Sequence, residues 1–90
     1  MDMKNSTIEF YKFLHKCNSY YNVRLRSIKI YEEEQEIRFH FAKERFIGNN
    51  TFFFDDDYFL AFGLEIAYKD EARMYEMVIE DVCKRYSIKR

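Results

Sequence analysis

The chain has 90 residues, of which 48% are hydrophobic and 20% aromatic, and its formal net charge is −1. This composition excludes a disordered chain, which would be poorer in aromatic residues, and it predicts a single compact domain over residues 1–90. No apolar run approaches the roughly 18 residues that span a bilayer, and the first ten residues lack the apolar segment of a secretory signal. We therefore expect a soluble, cytoplasmic protein.

Charge is unevenly distributed along the chain. Residues 32–83 carry fourteen acidic and five basic side chains, whereas residues 1–31 and 84–90 each have an excess of basic side chains. The near-neutral total therefore hides an acidic middle between basic ends. Such segregation can steer a charged partner toward one part of the surface.

The first predicted element is a helix from Ser6 to about Tyr20. Apolar residues recur there at intervals of three and four, the spacing of one face of an α-helix. Cys17 lies in this stripe, and neither it nor the distant Cys83 belongs to a CxxC or Cys-His motif, so we interpret both as reduced thiols. The stripe consists of Phe10, Phe13, Leu14, Cys17 and Tyr21.

Two antiparallel strands are predicted next, joined by a turn at Glu32 to Gln35. The alternation of the first strand changes phase in its middle, and a β-bulge near Arg26 and Ser27 would restore a single buried face. The second strand alternates regularly. Its residues Ile37, Phe39 and Phe41 face one way, and Arg38, His40 and Ala42 face the other.

The following segment combines a clear turn with an ambiguous strand. Residues 48–50, Gly-Asn-Asn, predict a tight turn because both residue types tolerate a positive φ. A third strand should occupy residues 51–54, and Asp55 to Asp57 then interrupt the apolar pattern, which predicts a solvated corner. Period-two alternation over residues 58–68 favours a fourth strand, with a short helix as the alternative.

A final helix is predicted after Asp70, which can cap it, and it should end near Tyr86. Each of the two helices has one apolar side, so both should pack on the same face of the sheet. The predicted fold class is α+β: an antiparallel sheet of three or four strands with an N-terminal and a C-terminal helix on one face. The other face of the sheet would remain open.

The three adjacent aspartates match no metal-binding motif. An EF-hand loop starting at Asp55 would need Gly at position 60 and Glu at position 66, where the chain has Leu60 and Ile66. The chain has only two glycines, and it contains no Walker loop or dinucleotide fingerprint. We therefore expect neither a metal nor a cofactor.

Nucleophilic catalysis has no local signature either. His15 and Cys17 are two positions apart in the predicted helix, about 200° around its axis, so they cannot form a dyad. His40 lies on the predicted solvent face of a strand. We therefore expect a protein that is not an enzyme.

A helix, three strands and a helix is also the element order of double-stranded RNA-binding domains, which the chain resembles in topology only. In that family the last helix opens with a lysine cluster, whereas this chain has the acids Asp70 and Glu71 there, which would repel phosphates. Nucleic-acid binding through the basic ends therefore stands only as an alternative. The residues concerned are Arg24, Arg26, Lys29, Lys84, Arg85, Lys89 and Arg90.

Two acidic clusters predict a contact surface. In an antiparallel meander, alternate turns lie at the same end of the sheet, so the two clusters should come together. A concentrated negative surface attracts a basic groove on a partner. The predicted contact residues are Glu32, Glu33, Glu34 and Glu36 at one turn and Asp55, Asp56 and Asp57 at the other.

In size, charge segregation and element order, the chain resembles anti-CRISPR proteins and other nucleic-acid mimics of mobile elements. The resemblance includes no sequence motif. It implies an inhibitor that occupies a basic groove of a protein partner, for example a nucleic-acid-binding protein. The favoured hypothesis is therefore a non-enzymatic protein-binding module that acts through the acidic surface.

An alternative hypothesis is a homo-oligomeric scaffold that uses aromatic residues of the open sheet face. Large rings bury much area with few rotatable bonds, so an aromatic excess is typical of contact surfaces. This alternative predicts a homodimer. The aromatic residues in question include Tyr20, Tyr31, Phe53 and Phe59.

Overall fold

The computed structural model of the chain describes residues 5–48 and 51–90, with side chains from residue 53 onward in the second range. Three strands form one antiparallel sheet in the order β1-β2-β3, with one helix before it and two after it. The predicted α+β class and element order are confirmed, and the described sheet has three strands. The elements are α1 (Asn5–Tyr21), β1 (Val23–Tyr31), β2 (Glu36–Ile47), β3 (Thr51–Gly63), α2 (Leu64–Lys69) and α3 (Glu71–Tyr86).

The core lies between the long helices and one face of the sheet. Phe39, at the centre of β2, is fully buried. Phe10 of α1 meets Phe39 edge-on at 6.0 Å between ring centroids and stacks on Tyr75 of α3 at 4.4 Å. Phe62 of β3 meets Phe39 edge-on at 5.9 Å. Aromatic rings therefore connect the sheet to α1 and link α1 to α3.

β1 contains the bulge that its change of phase predicted. The register of β1 against β2 shifts between Leu25 and Ser27, so Arg26 is the extra residue. The shift returns Ile28 to the face of the sheet that Leu25 occupies. The prediction of a bulge near Arg26 and Ser27 is confirmed.

The solvated corner predicted at Asp55 to Asp57 is wrong. β3 runs through the aspartates without turning: Asp55 and Tyr58 both pair with β2, and only one residue of β2 lies between their partners. β3 therefore carries one extra residue there, and Asp56 has a φ of 53°. A bulge absorbs such a residue while the strand continues, and Asp is among the residues that tolerate positive φ.

The predicted fourth strand over residues 58–68 is also wrong, because this segment divides at Gly63. Up to Gly63 the alternation is that of a strand, since Leu60 is buried on the helix side and Phe59 is exposed on the other. From Leu64 onward the chain is helical, and the side chain of Leu64 is buried against the core. Short apolar runs fit either period, so the pattern could not separate the two structures.

The last helix follows its prediction closely. Asp70 caps α3 by accepting a hydrogen bond from the Arg73 amide at 3.2 Å, and the helix ends at Tyr86.

Both cysteines are free thiols: Cys17 is buried and Cys83 is half-buried. In the predicted tight turn, Gly48 has a φ of 72°, whereas Asn49 and Asn50 lie outside the described residues. No helix among the described residues is long and apolar enough to cross a membrane.

Candidate functional site

The two acidic clusters do not meet at one end of the sheet, which corrects the predicted seven-carboxylate surface. Glu36 pairs with Gly63 at the end of the sheet next to the β1–β2 turn. Asp56 lies seven positions before Gly63 on the same strand, which corresponds to about 23 Å at roughly 3.3 Å per residue. The aspartates are therefore partway along the sheet, because β3 passes through them as a bulge.

The aspartate bulge, as we call Asp55 to Asp57, is compensated by basic side chains within the fold. Such pairing leaves little net charge for a partner to recognise. Each carboxylate has at least one basic neighbour: Asp55 Oδ2 lies 3.2 Å from Arg45 Nε, Asp56 pairs with Arg85, and Asp57 Oδ1 lies 3.2 Å from His40 Nε2 and 3.9 Å from Arg26 Nη1.

Asp56 also connects β3 to the end of α3. The Tyr86 hydroxyl donates to the Asp56 carbonyl oxygen at 2.8 Å, and the Tyr86 ring meets that of Tyr58 edge-on at 6.2 Å. Arg85 lies over Tyr58 at 5.3 Å from the ring centroid. Burial, assisted by the nearby Asp56 carboxylate, raises the pKa of Tyr86 to about 12. The aspartate bulge therefore serves as a structural joint.

The glutamate turn, as we call Glu32, Glu33 and Glu34, has the opposite character. All three residues are exposed, and none of them forms a salt bridge with any described residue. Two hydrogen bonds hold the backbone of the turn in place. The backbone N–H of Gln35 donates to the Glu32 carbonyl oxygen at 3.2 Å, and Nε2 of the Gln35 side chain donates to the same oxygen at 2.6 Å. The turn thus presents three exposed carboxylates outside any described salt bridge on an ordered backbone.

The remaining predicted contact residue, Glu36, is half-buried and paired. Its Oε1 accepts a hydrogen bond from Arg38 Nη2 at 3.0 Å. Sequence reasoning missed Glu65, whose helix begins against the turn: the Leu64 amide donates to the Gln35 carbonyl oxygen at 2.9 Å. Glu65 is exposed and bonds Lys69 at 2.6 Å. The acidic end of the molecule therefore consists of the glutamate turn with Glu36 and Glu65.

The open face, the side of the sheet away from the helices, carries basic groups held against aromatic rings. Tyr31 and Phe59 lie on this face as predicted, whereas Tyr20 is at the end of α1 and Phe53 points to the other side of β3. Phe59 is 60% exposed. The pairs are Arg38 over Tyr31 at 3.9 Å, Arg26 over Phe54 at 4.2 Å, and His40 stacked on Phe59 at 4.1 Å.

The basic residues considered for nucleic acid are largely paired with acids. On β1, Arg24 Nε lies 2.7 Å from Oε1 of the buried Glu44, and Arg26 is close to Asp57. In the tail, Arg85 pairs with Asp56 and Arg90 with Glu76. Phosphate binding depends on cations that release counterions, and paired cations contribute less to it.

The open face also brings together Ser27, His40 and Asp57, the residue types of a hydrolase triad. Ser27 is directly opposite His40 in the register, and His40 is bonded to Asp57. No hydrogen bond joins Ser27 to His40 among the described residues. The nucleophile is therefore not activated in this arrangement.

Within the described part of the chain, no three His, Cys, Asp or Glu side chains are grouped as metal ligands.

Comparisons with known proteins give no identification. A scan against family models, a search of curated proteins and a search of solved structures each found no significant match to this chain.

Proposed function

We propose that the chain is a non-enzymatic protein-binding module that holds a partner with a basic surface, and that the glutamate turn provides the acidic contact. The observation that carries this proposal is the contrast in pairing. The exposed carboxylates of the glutamate turn have no salt-bridge partner among the described residues, whereas those of the aspartate bulge are all paired. An unpaired carboxylate can bind a partner's cation without first breaking an internal pair.

An inhibitor is the form of this activity that small size and segregated charge favour. Grooves that hold nucleic acid are lined with Lys and Arg, and ordered carboxylates at one end of a small domain can compete for them. The resemblance to anti-CRISPR proteins in size, charge segregation and element order supports the same idea. The acidic contact would now consist of the glutamate turn, with the aspartate bulge excluded because its carboxylates are paired.

The test is partner capture from a cell lysate by the immobilised chain and by two triple variants. Glu32→Gln/Glu33→Gln/Glu34→Gln should lose most of the captured partner. Asp55→Asn/Asp56→Asn/Asp57→Asn removes the same number of charges elsewhere and should retain it, provided that circular dichroism shows a folded variant. Capture should weaken as salt increases, because the contact is exposed. Equal capture by wild type and the glutamine variant would contradict the proposal.

A homo-oligomeric scaffold is the second candidate, favoured by the exposed ring of Phe59 and the arginine–aromatic pairs of the open face. Arg, Tyr and Phe are enriched in protein interfaces. Light scattering distinguishes the candidates: a dimer that Phe59→Ala dissociates would support the scaffold, and a monomer at high concentration would exclude it.

A further inference from the structure

The outer edge of β1 is open for hydrogen bonding. In the sheet order β1-β2-β3, β1 pairs with β2 and with no other strand in the described part of the chain. Residues Ser27 to Tyr31 pair one to one with His40 to Glu36, so β1 is regular beyond the bulge at Arg26. An edge strand presents a row of unpaired backbone N–H and C=O groups, and an extended segment can bond to them.

Two large apolar side chains lie exposed along this edge, on the helix side of the sheet. Ile28 and Ile30 are directly opposite the buried Phe39 and Ile37, so they belong to the face that packs against the helices. They are nevertheless 45% and 54% exposed. The apolar face of the sheet is therefore left uncovered at the outer edge of β1.

α1 lies above this edge at the level of Ile28. One residue separates α1 from β1, so the helix and the strand run side by side in opposite directions. Phe10 lies eleven positions before the end of α1, about 16 Å at roughly 1.5 Å per residue. Ile28 lies five positions into β1, also about 16 Å at roughly 3.3 Å per residue. Phe10 meets Phe39, the register partner of Ile28, as this placement requires.

The flank of α1 that faces away from α3 forms an apolar wall beside the edge. Glu9 and Phe13 line a groove against α3, and Tyr11 is two positions from each, about 200° around the helix axis. Because the end of α3 bonds to β3, at the far side of the sheet, the flank with Tyr11 faces β1. An open depression on this flank is lined by Ile8, Tyr11, Lys12 and His15.

We propose that β1 accepts an extended segment of a protein partner as an added strand along Ser27 to Tyr31. The segment has apolar side chains on the helix side and an acidic side chain opposite Lys29 on the open face. Successive side chains of a strand point to opposite faces, so alternating apolar and acidic residues meet both requirements. This inference goes beyond the proposed function, because it uses a different surface.

Charge on β1 favours an acid in the added strand. β1 carries Arg24, Arg26 and Lys29 and no acidic residue. Arg24 and Arg26 reach Glu44 and Asp57. Lys29 is exposed and forms no salt bridge with any described residue. Opposite charges on directly opposed residues of neighbouring strands stabilise the pairing, so Lys29 selects an acid.

Two other occupants fit this edge less well. A second copy that pairs through β1 would place one basic strand beside another, and like charges opposite each other destabilise a sheet. A nucleic acid would meet Lys29 with its phosphates but would leave Ile28 and Ile30 without apolar contact. The glutamate turn lies beyond Tyr31 and repels acids there, which confines the acid of the segment to the position opposite Lys29.

The inference is tested by titrating the ¹⁵N-labelled full chain with a capped nonapeptide of alternating valine and glutamate. Amide shifts should concentrate in residues 27–31 and 8–15, and hydrogen exchange in residues 27–31 should slow because the edge gains hydrogen bonds. A valine-lysine peptide of the same pattern should bind at least about fivefold more weakly. A fully N-methylated valine-glutamate peptide keeps its charge but loses its N–H groups, and it should not bind.

Variants of β1 test the two faces separately. Lys29→Glu should weaken binding of the valine-glutamate peptide and strengthen that of the valine-lysine peptide, each by about three- to tenfold. Lys84→Glu makes the same change at an exposed position of α3 and should alter neither. Ile28→Ser/Ile30→Ser should weaken the valine-glutamate peptide by about tenfold, since its apolar side chains lose their contacts.

Four results would overturn the inference. They are equal binding of the valine-glutamate and valine-lysine peptides, full binding of the N-methylated peptide, unchanged binding by Lys29→Glu, and displacement of the peptide by an oligothymidylate. A dimer in light scattering that Ile28→Ser/Ile30→Ser dissociates would also overturn it, because a second copy would then occupy the edge.

The glutamine variant of the glutamate turn separates this contact from the proposed acidic contact. It should bind the valine-glutamate peptide as well as wild type or better, because the repulsion from the turn is removed. Weaker binding by that variant would contradict the inference. Since the variant is expected to lose the captured partner and to keep this peptide, each contact can fail while the other stands.

Discussion

The aspartate bulge and the glutamate turn have the same local composition and opposite environments. Each is a run of three consecutive acids. The aspartates lie within a strand and contact basic side chains from β1, β2 and α3, whereas the glutamates lie at a hairpin turn with no salt bridge to any described residue. An acidic run is therefore paired with cations or left outside salt bridges according to what the fold places beside it.

The difference has a physical basis in the topology. A bulge partway along an edge strand lies beside the rest of the sheet and near the helix packed against it, so cations from distant parts of the sequence can reach it. A hairpin turn extends beyond the sheet, and its side chains face water. Charge that is compensated locally mainly contributes to stability, and uncompensated charge mainly contributes to association.

Among single substitutions, the largest stability effect is expected when a cation that pairs with the aspartate bulge is removed. Arg85→Ala loses the ion pair with Asp56 and the contact with the Tyr58 ring. Both groups are partly exposed, so we expect urea unfolding to show a loss of about 1–2 kcal/mol. The matched control is Lys84→Ala at the adjacent exposed position, which should change stability by less than about 0.5 kcal/mol. Equal losses in the two variants would show that the bulge is not a joint.

A slightly smaller loss is expected for the hydrogen bond between Tyr86 and the backbone of Asp56. Tyr86→Phe keeps the ring and its edge contact with Tyr58 but removes the 2.8 Å bond to the carbonyl oxygen. The unfolding free energy should fall by about 1 kcal/mol. Tyr20→Phe, at an exposed ring, serves as the control, and an unchanged Tyr86→Phe variant would argue against this contact.

The elements with regular spacing could be predicted from sequence. Helical and strand periods record which face is buried, and the change of phase in β1 even located the bulge at Arg26. The aspartate bulge could not be predicted, because a corner and a bulge both place a polar residue that tolerates positive φ at Asp56. The choice between them depends on contacts with Arg85 and Tyr86, about thirty positions away in the sequence.

The candidate site was predicted in part. The glutamate turn lies where its residues indicated, because a run of polar residues between two strands leaves few other structures. Its neighbour Glu65 could not be inferred, since the contact between Leu64 and Gln35 joins residues that share no local pattern.

Alkaline pH should lower the stability of the folded chain through Tyr86, whose hydroxyl donates to the aspartate bulge. The pKa of Tyr86 is about 12 in the folded chain against an ordinary value of 10.0, so the phenol ionises more easily when unfolded. The stabilisation is complete below pH 10.0 and is lost as the pH rises toward about 12. Wild type should therefore lose stability over this range more than Tyr86→Phe does. The check is urea unfolding at several pH values, and parallel curves for the two proteins would refute it.

The smallest expected effect concerns salt. The partly exposed pairs of the aspartate bulge should weaken with added salt, so stability should fall by a few tenths of a kcal/mol between low and about 0.5 M salt. Removing the carboxylates in Asp55→Asn/Asp56→Asn/Asp57→Asn should abolish most of this dependence, and removing those of the glutamate turn should leave it. Thermal unfolding followed by circular dichroism is sufficient, and the reverse assignment would contradict the comparison.

The most direct measurement compares the two triple variants in both properties, using urea unfolding for stability and nona-arginine titration for association. The account predicts that Asp55→Asn/Asp56→Asn/Asp57→Asn loses about 1–3 kcal/mol of stability and binds the peptide as wild type does. Glu32→Gln/Glu33→Gln/Glu34→Gln should keep its stability within about 0.5 kcal/mol and bind about tenfold more weakly. If the aspartate variant is the one that loses binding, or the glutamate variant the one that loses stability, the central claim is contradicted.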